Sequence, residues 1–281
     1  MADRVFPKPN YNYQIDNLVK AYKQAMQDIL HELERLDITS LSYANAQAAL
    51  LIVAEINKEL DKTSANWVDE HMPIAVKDGV ANTLYSLGVA KSVEEAVKIA
   101  SFNKLNRELV KAVIADTQSD LLAVTQNVSR KVRSTVRQVT ADSMRANMAK
   151  GVNGRRTITS DVLTGLRDQL GAAVETGIID AAGRRWKPEI YVDMAVRTKM
   201  MSAHLDSTIN EAISRDALYG RISVNHSKHQ ACLIWEGKIV KLTPDAPGDY
   251  PTLDEVKSGR GIFHPNCKHV ISPTRLPNGI E

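Results

Sequence analysis

A chain of 281 residues with 43% hydrophobic and 25% charged residues can build one large or two modest domains, and its net charge of +3 is too mild to dictate a nucleic-acid partner. The longest apolar run, Ala48 to Ala54, is far short of the roughly 20 residues a membrane helix needs, and no apolar segment follows the polar start Met1-Ala2-Asp3-Arg4 as in a secretory signal. Two cysteines exclude a disulfide-rich secreted scaffold, so the expectation is a protein made in a cytoplasm and soluble there.

Residues 1–10 read as an extended arm, because Pro7 and Pro9 forbid a helix. From Tyr13 the apolar residues Ile15, Leu18, Val19, Tyr22, Met26, Ile29, Leu30, Leu33 and Leu36 recur at spacings of three and four, which predicts an amphipathic helix. Asp37 to Ser40 breaks it. A second helix is expected over Tyr43 to Asp61, and a third over Trp67 to Leu87, interrupted at Pro73 and stopped at Gly88. Ser92-Val93-Glu94-Glu95 is a capping box for a short helix to about Ala100. A long helix spans Asn103 to Ala149, with Gly151 and Gly154 ending it, and Thr159-Ser160-Asp161 caps another to Val174.

The texture then shifts. Residues 178–186 predict two short strands around the Asp180-x-x-Gly183 turn, and Pro188 opens a last long helix to about Tyr219. Beyond it the strand signals are Arg221 to Val224, Ala231 to Trp235 and Lys238 to Leu242, followed by a Pro/Gly-rich loop from Thr243 to Gly261. The fold class is α+β: a mostly α-helical body of long amphipathic helices with a small C-terminal β-containing cap. The expected parts are an arm (1–10), a helical domain (11–154), a helix, hairpin and long helix (155–220), the cap (221–275) and a tail (276–281).

The cap holds the densest chemistry. Two His-x-x-Cys pairs, His229/Cys232 and His264/Cys267, offer the two thiolates and two imidazoles of a tetrahedral zinc site, with His226 and His269 as alternates. Such a site would be structural, since all four positions are spent on the fold. The competing readings are polar residues packing a small core, with both cysteines buried, or a Cys232–Cys267 disulfide, which a reducing cytosol disfavours. A second feature is the basic run from Arg130 through Lys131, Arg133, Arg137, Arg145, Lys150, Arg155 and Arg156, opposed only by Asp142. Arg130, Arg133, Arg137 and Arg145 fall near one helical face and would suit DNA phosphates; the competing reading is a solvated face. No phosphate loop, Gly-x-Ser-x-Gly or His-Glu-x-x-His motif occurs, so no catalytic residue is assigned and a non-enzyme is expected.

Gly183-Arg184-Arg185-Trp186, the helix from Tyr191 to Thr198, Cys232-x-x-Trp235-x-Gly237-Lys238, Tyr250-Pro251-Thr252 and Phe263-His264-Pro265-Asn266-Cys267-Lys268-His269 together resemble the phage minor capsid protein 2 family, related to Mu-type head morphogenesis proteins. The family commonly carries cysteine where this chain has His229, an exchange that keeps a metal ligand and abolishes a disulfide. The resemblance implies a structural minor head protein of a tailed bacteriophage. Such a protein works inside the head near the portal vertex after assembly in the host cytoplasm. Its implied partners are portal, major capsid and scaffold proteins, with packaged double-stranded DNA and a second copy of the chain as further ones. The alternatives are a DNA-binding protein working through residues 128–156 and a toxin-like enzyme in the C-terminal half.

Overall fold

The computed structural model describes residues 4–153, 160–180, 182–226, 229–258 and 261–275, with the side chains of residues 147, 149–153, 160 and 161 excepted. The fold is α+β and mostly helical, with small strands toward the C-terminus. The chain forms two compact units: residues 1–14, 68–117 and 194–281 make one, and residues 15–67 and 118–193 the other.

In the second unit, α1 (Asn12–Glu34) buries Ile15, Leu18, Tyr22, Ala25, Met26, Ile29 and Leu33, the stripe its periodicity predicts. Asp37 caps a 3-10 turn (Ile38–Ser40): its carboxylate accepts from the Thr39 amide and from the Thr39 and Ser40 hydroxyls, which hold its pKa down at about 2. The next helix, α2 (Tyr43–Ser86), is continuous where two helices were expected. Residues 62–66 are polar except for Ala65 and contain no breaker. Ser64 is buried, donates to the Leu60 carbonyl at 2.7 Å and sits 3.2 Å from the Tyr22 hydroxyl, so tertiary packing overrides weak propensity. Pro73 lies within the same helix.

α4 (Lys104–Asn153) is likewise one long helix, with Gly151 inside it and Gly154 outside the described residues. α5 (Ser160–Glu175) and the antiparallel pair β1 (Ile178–Ile179) and β2 (Arg185–Trp186) follow as expected. Asp180 fastens that hairpin. It accepts from the Ala182 and Arg184 amides, the Arg184 guanidinium and the Trp186 indole N–H, and its pKa is lowered to about 2, chiefly by the Trp186 bond.

In the first unit the arm packs down: Phe6 is buried with Val80, Ala81 and Leu84, and the Arg4 guanidinium donates to the Ala90 carbonyl at 2.9 Å. α3 (Val93–Ile99) begins at Ser92, whose hydroxyl accepts from the Glu95 amide. The C-terminal part of α2 crosses α6 (Pro188–Ile213) at Gly79, where a Cβ would lie 2.0 Å from Ser207 Oγ and 2.2 Å from the His204 carbonyl. α6 ends at Ile213, not near Tyr219. Asp216 takes φ +57, its amide donates to the Ile213 carbonyl and the Ala217 amide to the Ala212 carbonyl, a closed Schellman turn. The released residues become β3 (Tyr219–Ile222), the centre of an antiparallel sheet ordered β4-β3-β5 with β4 (Ile239–Lys241) and β5 (Ile271–Thr274). Gly220 permits this packing, since a Cβ there would meet Ile271 Cγ2 at 2.2 Å.

Two cap segments depart from expectation. Ala231 to Trp235 is not a strand; α7 (Gln230–Leu233) turns there, with the Cys232 and Leu233 amides donating to the His229 carbonyl. The apolar run Ala-Cys-Leu-Ile-Trp mimics a strand, but only Cys232 goes fully inward while Leu233 and Ile234 stay exposed. The Pro/Gly-rich loop carries α8 (Leu253–Ser258), started by a reciprocal cap in which Thr252 Oγ1 accepts from the Glu255 amide and the Glu255 carboxylate from the Thr252 amide.

Candidate metal centre

The cap sheet and α7 enclose an apolar cluster of Ala217, Ile222, Val240, Leu253, Val256, Ile262 and Ile271, and both cysteines belong to it. Cys232 and Cys267 are buried and are not joined in a disulfide. Around them the metal-ligating atoms fall into two groups, His229/Cys232/His264 and Cys232/Cys267/His269, each with all its atoms within 4.8 Å of one another. Cys232 Sγ is common to both. It lies 3.2 Å from His264 Nε2, 3.9 Å from His229 Nδ1 and 3.6 Å from the Gly261 carbonyl. Cys267 Sγ lies 3.2 Å from His269 Nδ1.

Local backbone explains the convergence. α7 is a single tight turn, which puts His229 and Cys232 on one side. The His264 segment is bent by Phe263 at φ +61 and Asn266 at φ +64, and the Cys267 amide donates to the His264 carbonyl. A bulky aromatic residue at positive φ is strained and persists only where the surroundings hold it. Gly237 at φ +73 turns the chain from α7 into β4. Trp235 closes one side: its indole nitrogen would lie 2.6 Å from a Cβ at Gly261, and Lys238 Nζ sits 4.9 Å from its ring centroid.

The other ring nitrogens are spoken for. His269 Nε2 lies 2.9 Å from Glu236 Oε1, with both side chains buried, and His264 Nδ1 lies 2.8 Å from the Pro265 carbonyl. A carboxylate and a carbonyl only accept, so those nitrogens carry protons, and the neutral tautomer of each ring then presents the lone pair of His269 Nδ1 or His264 Nε2 to the thiols. Glu236 touches the cluster through His269, and motif spacing did not single it out. Its other oxygen accepts from the His226 amide at 3.1 Å, so His226 reaches the site through its backbone and its ring belongs to neither group. The signal for Glu236 lay in its place, a carboxylate between Trp235 and Gly237 and four residues after Cys232.

The basic run lies elsewhere. On α4, Val128, Val132, Val136 and Val139 are buried, while Arg130, Lys131, Arg133 and Arg137 are exposed on other faces. Among the described residues no acidic side chain pairs with Arg130, Arg133 or Arg137, whereas Arg145 binds Asp142 at 2.7 Å. The Lys150 side chain, Arg155 and Arg156 lie outside the described residues.

A family model described as phage minor capsid protein 2 matches residues 8–275, nearly the whole chain. The chain belongs to this family. It is thus a structural protein of the phage head and a component of the virion, and it interacts with other head proteins. Comparisons with curated proteins and with solved structures returned no match. The motif residues of the cap each serve the structure. Trp235 and Gly237 shape the turn, and the Pro251 carbonyl accepts from the Lys241 amide at 2.9 Å. Tyr250 packs edge-on against Tyr219, and the segment from His264 to His269 supplies three of the five clustered side chains. No helix among the described residues is long and apolar enough to cross a membrane.

Proposed function

We propose that this minor capsid protein acts inside the head during assembly, docking on the portal and capsid proteins through its helices and meeting packaged double-stranded DNA with the arginine face of α4. The role is architectural, by binding and not by catalysis. The observation that carries the docking reading is a groove of about 650 Å3 between α1 and α2, floored by Ala21, Ala25, Ile52, Ile56 and Leu60 and rimmed by Asp28, Glu55 and Glu59. An apolar floor suits the apolar face of an amphipathic helix from a head protein, with Glu55 and Glu59 at the rim already paired to Lys58 and Lys62. DNA contact is supported by Arg130, Arg133 and Arg137, which are exposed and free of acidic partners among the described residues.

The test is co-purification of the full chain with the portal protein, with and without the paired changes Ile52→Asp and Ile56→Asp. The reading expects a complex that these changes weaken at least tenfold. A portal protein that ignores the chain at micromolar concentration would remove it.

A further inference from the structure

We propose that Cys232, Cys267, His264 and His269 bind one structural zinc ion, that Glu236 is the outer partner fixing His269, and that His229 stands outside the ligand set. Five side chains compete for four tetrahedral positions, and two observations choose among them. The first is burial. Cys232, Cys267 and His269 are enclosed, whereas His229 is exposed at the rim. The second is ring orientation. His269 and His264 each have one nitrogen engaged by an oxygen acceptor, which leaves the other as a lone-pair donor aimed at a sulfur 3.2 Å away. A carboxylate or carbonyl on the far nitrogen is the usual way a metal-bound imidazole is held in its tautomer.

Distance is compatible with a bound ion. Zinc–sulfur and zinc–nitrogen bonds in a tetrahedron place neighbouring donors roughly 3.3–3.8 Å apart. The 3.2 Å spacings of the His264 and His269 donors from Cys232 and Cys267 and the 3.9 Å of His229 from Cys232 all lie beside that range, so distance admits a metal here while burial and ring orientation choose the ligands. The two groups meet only at Cys232, so binding draws them together on that sulfur. Two thiolates and two neutral imidazoles favour zinc over the oxygen-seeking cations magnesium and calcium. Binding releases two thiol protons to solvent, and the divalent ion with two thiolates is neutral, which suits a buried place. With the fourth position filled by protein, the centre has no open site for a reacting water.

The experiment is elemental analysis of the purified full chain and of His269→Ala, Cys232→Ser and His229→Ala, with the electronic spectrum of the cobalt-reconstituted wild type. The expected result is about one zinc per wild-type chain, loss of that zinc in His269→Ala and Cys232→Ser, and its retention in His229→Ala. The cobalt form should show thiolate charge-transfer bands and the intense visible bands of a tetrahedral ion. Because Cys232→Ser can fail to fold, the cobalt spectrum of the wild type decides by itself whether two thiolates hold the metal. A folded, metal-free wild type or a cobalt form without thiolate bands overturns the site, and loss of zinc from His229→Ala with retention in His269→Ala overturns the ligand assignment.

Discussion

His269 donates its Nε2 proton to Glu236 across 2.9 Å, and neither side chain reaches solvent appreciably. The pair orients His269 Nδ1 toward Cys267, so Glu236 acts on the proposed centre without touching it. Outer partners of this kind typically govern 10–100-fold in metal affinity. Glu236→Ala should weaken zinc binding by about that factor, as read by competition with a chelating indicator. Unaltered affinity would mean that His269 needs no such partner.

Gly79 and Gly165 should answer oppositely to the same substitution. Alanine normally gains about 1 kcal/mol over glycine in a helix. At Gly165 nothing lies within 4 Å of the new methyl group, so Gly165→Ala should raise the urea midpoint. At Gly79 the methyl would meet Ser207 Oγ and the His204 carbonyl, and backbone cannot yield as a side-chain tip can. Gly79→Ala should therefore cost about 1–3 kcal/mol net of that gain. Equal midpoints for the two variants would contradict the close crossing of α2 and α6.

His204 gives the fold an acid limit. It is fully buried, neither ring nitrogen has a hydrogen-bond partner among the described residues, and burial lowers its pKa to about 4 from the usual 6.5. The unfolded chain binds the proton more readily, so the neutral ring favours folding above about pH 6.5, and stability falls as pH drops toward 4. The slope should reach about 1.4 kcal/mol per pH unit from this group. His204→Leu should flatten the fall in melting temperature across that window; an unchanged slope would assign the acid lability to other groups.

The arginine face of α4 predicts a salt signature. If Arg130, Arg133 and Arg137 each neutralise one phosphate, changing all three to Glu should reduce the slope of log affinity against log salt by about 0.9 for each lost contact. Fluorescence anisotropy with duplex DNA measures it. Wild-type binding that ignores both salt and charge reversal would leave the face as ordinary solvated surface.

The amphipathic pattern of α1, the capping box at Ser92 and the Asp180 turn were legible because each depends on neighbours within a few residues. The continuity of α2 was not, because the burial of Ser64 within residues 62–66 depends on packing that includes the Tyr22 hydroxyl, 42 positions away. The end of α6 was hidden for a similar reason: Tyr219 to Ile222 leave the helix for a sheet whose packing at Gly220 depends on Ile271, far along the chain. In the cap, four clustered residues were readable from spacing. Glu236 was not, since a lone glutamate acquires meaning only when folding sets it against His269.

The most direct test of the head-assembly account is cross-linking mass spectrometry on intact virions. Cross-links should join lysines of this chain, among them Lys20, Lys58 and Lys62 beside the α1–α2 groove, to the portal protein. Cross-links confined to tail proteins, or none to any head protein at a copy number where the chain is readily detected, would contradict it.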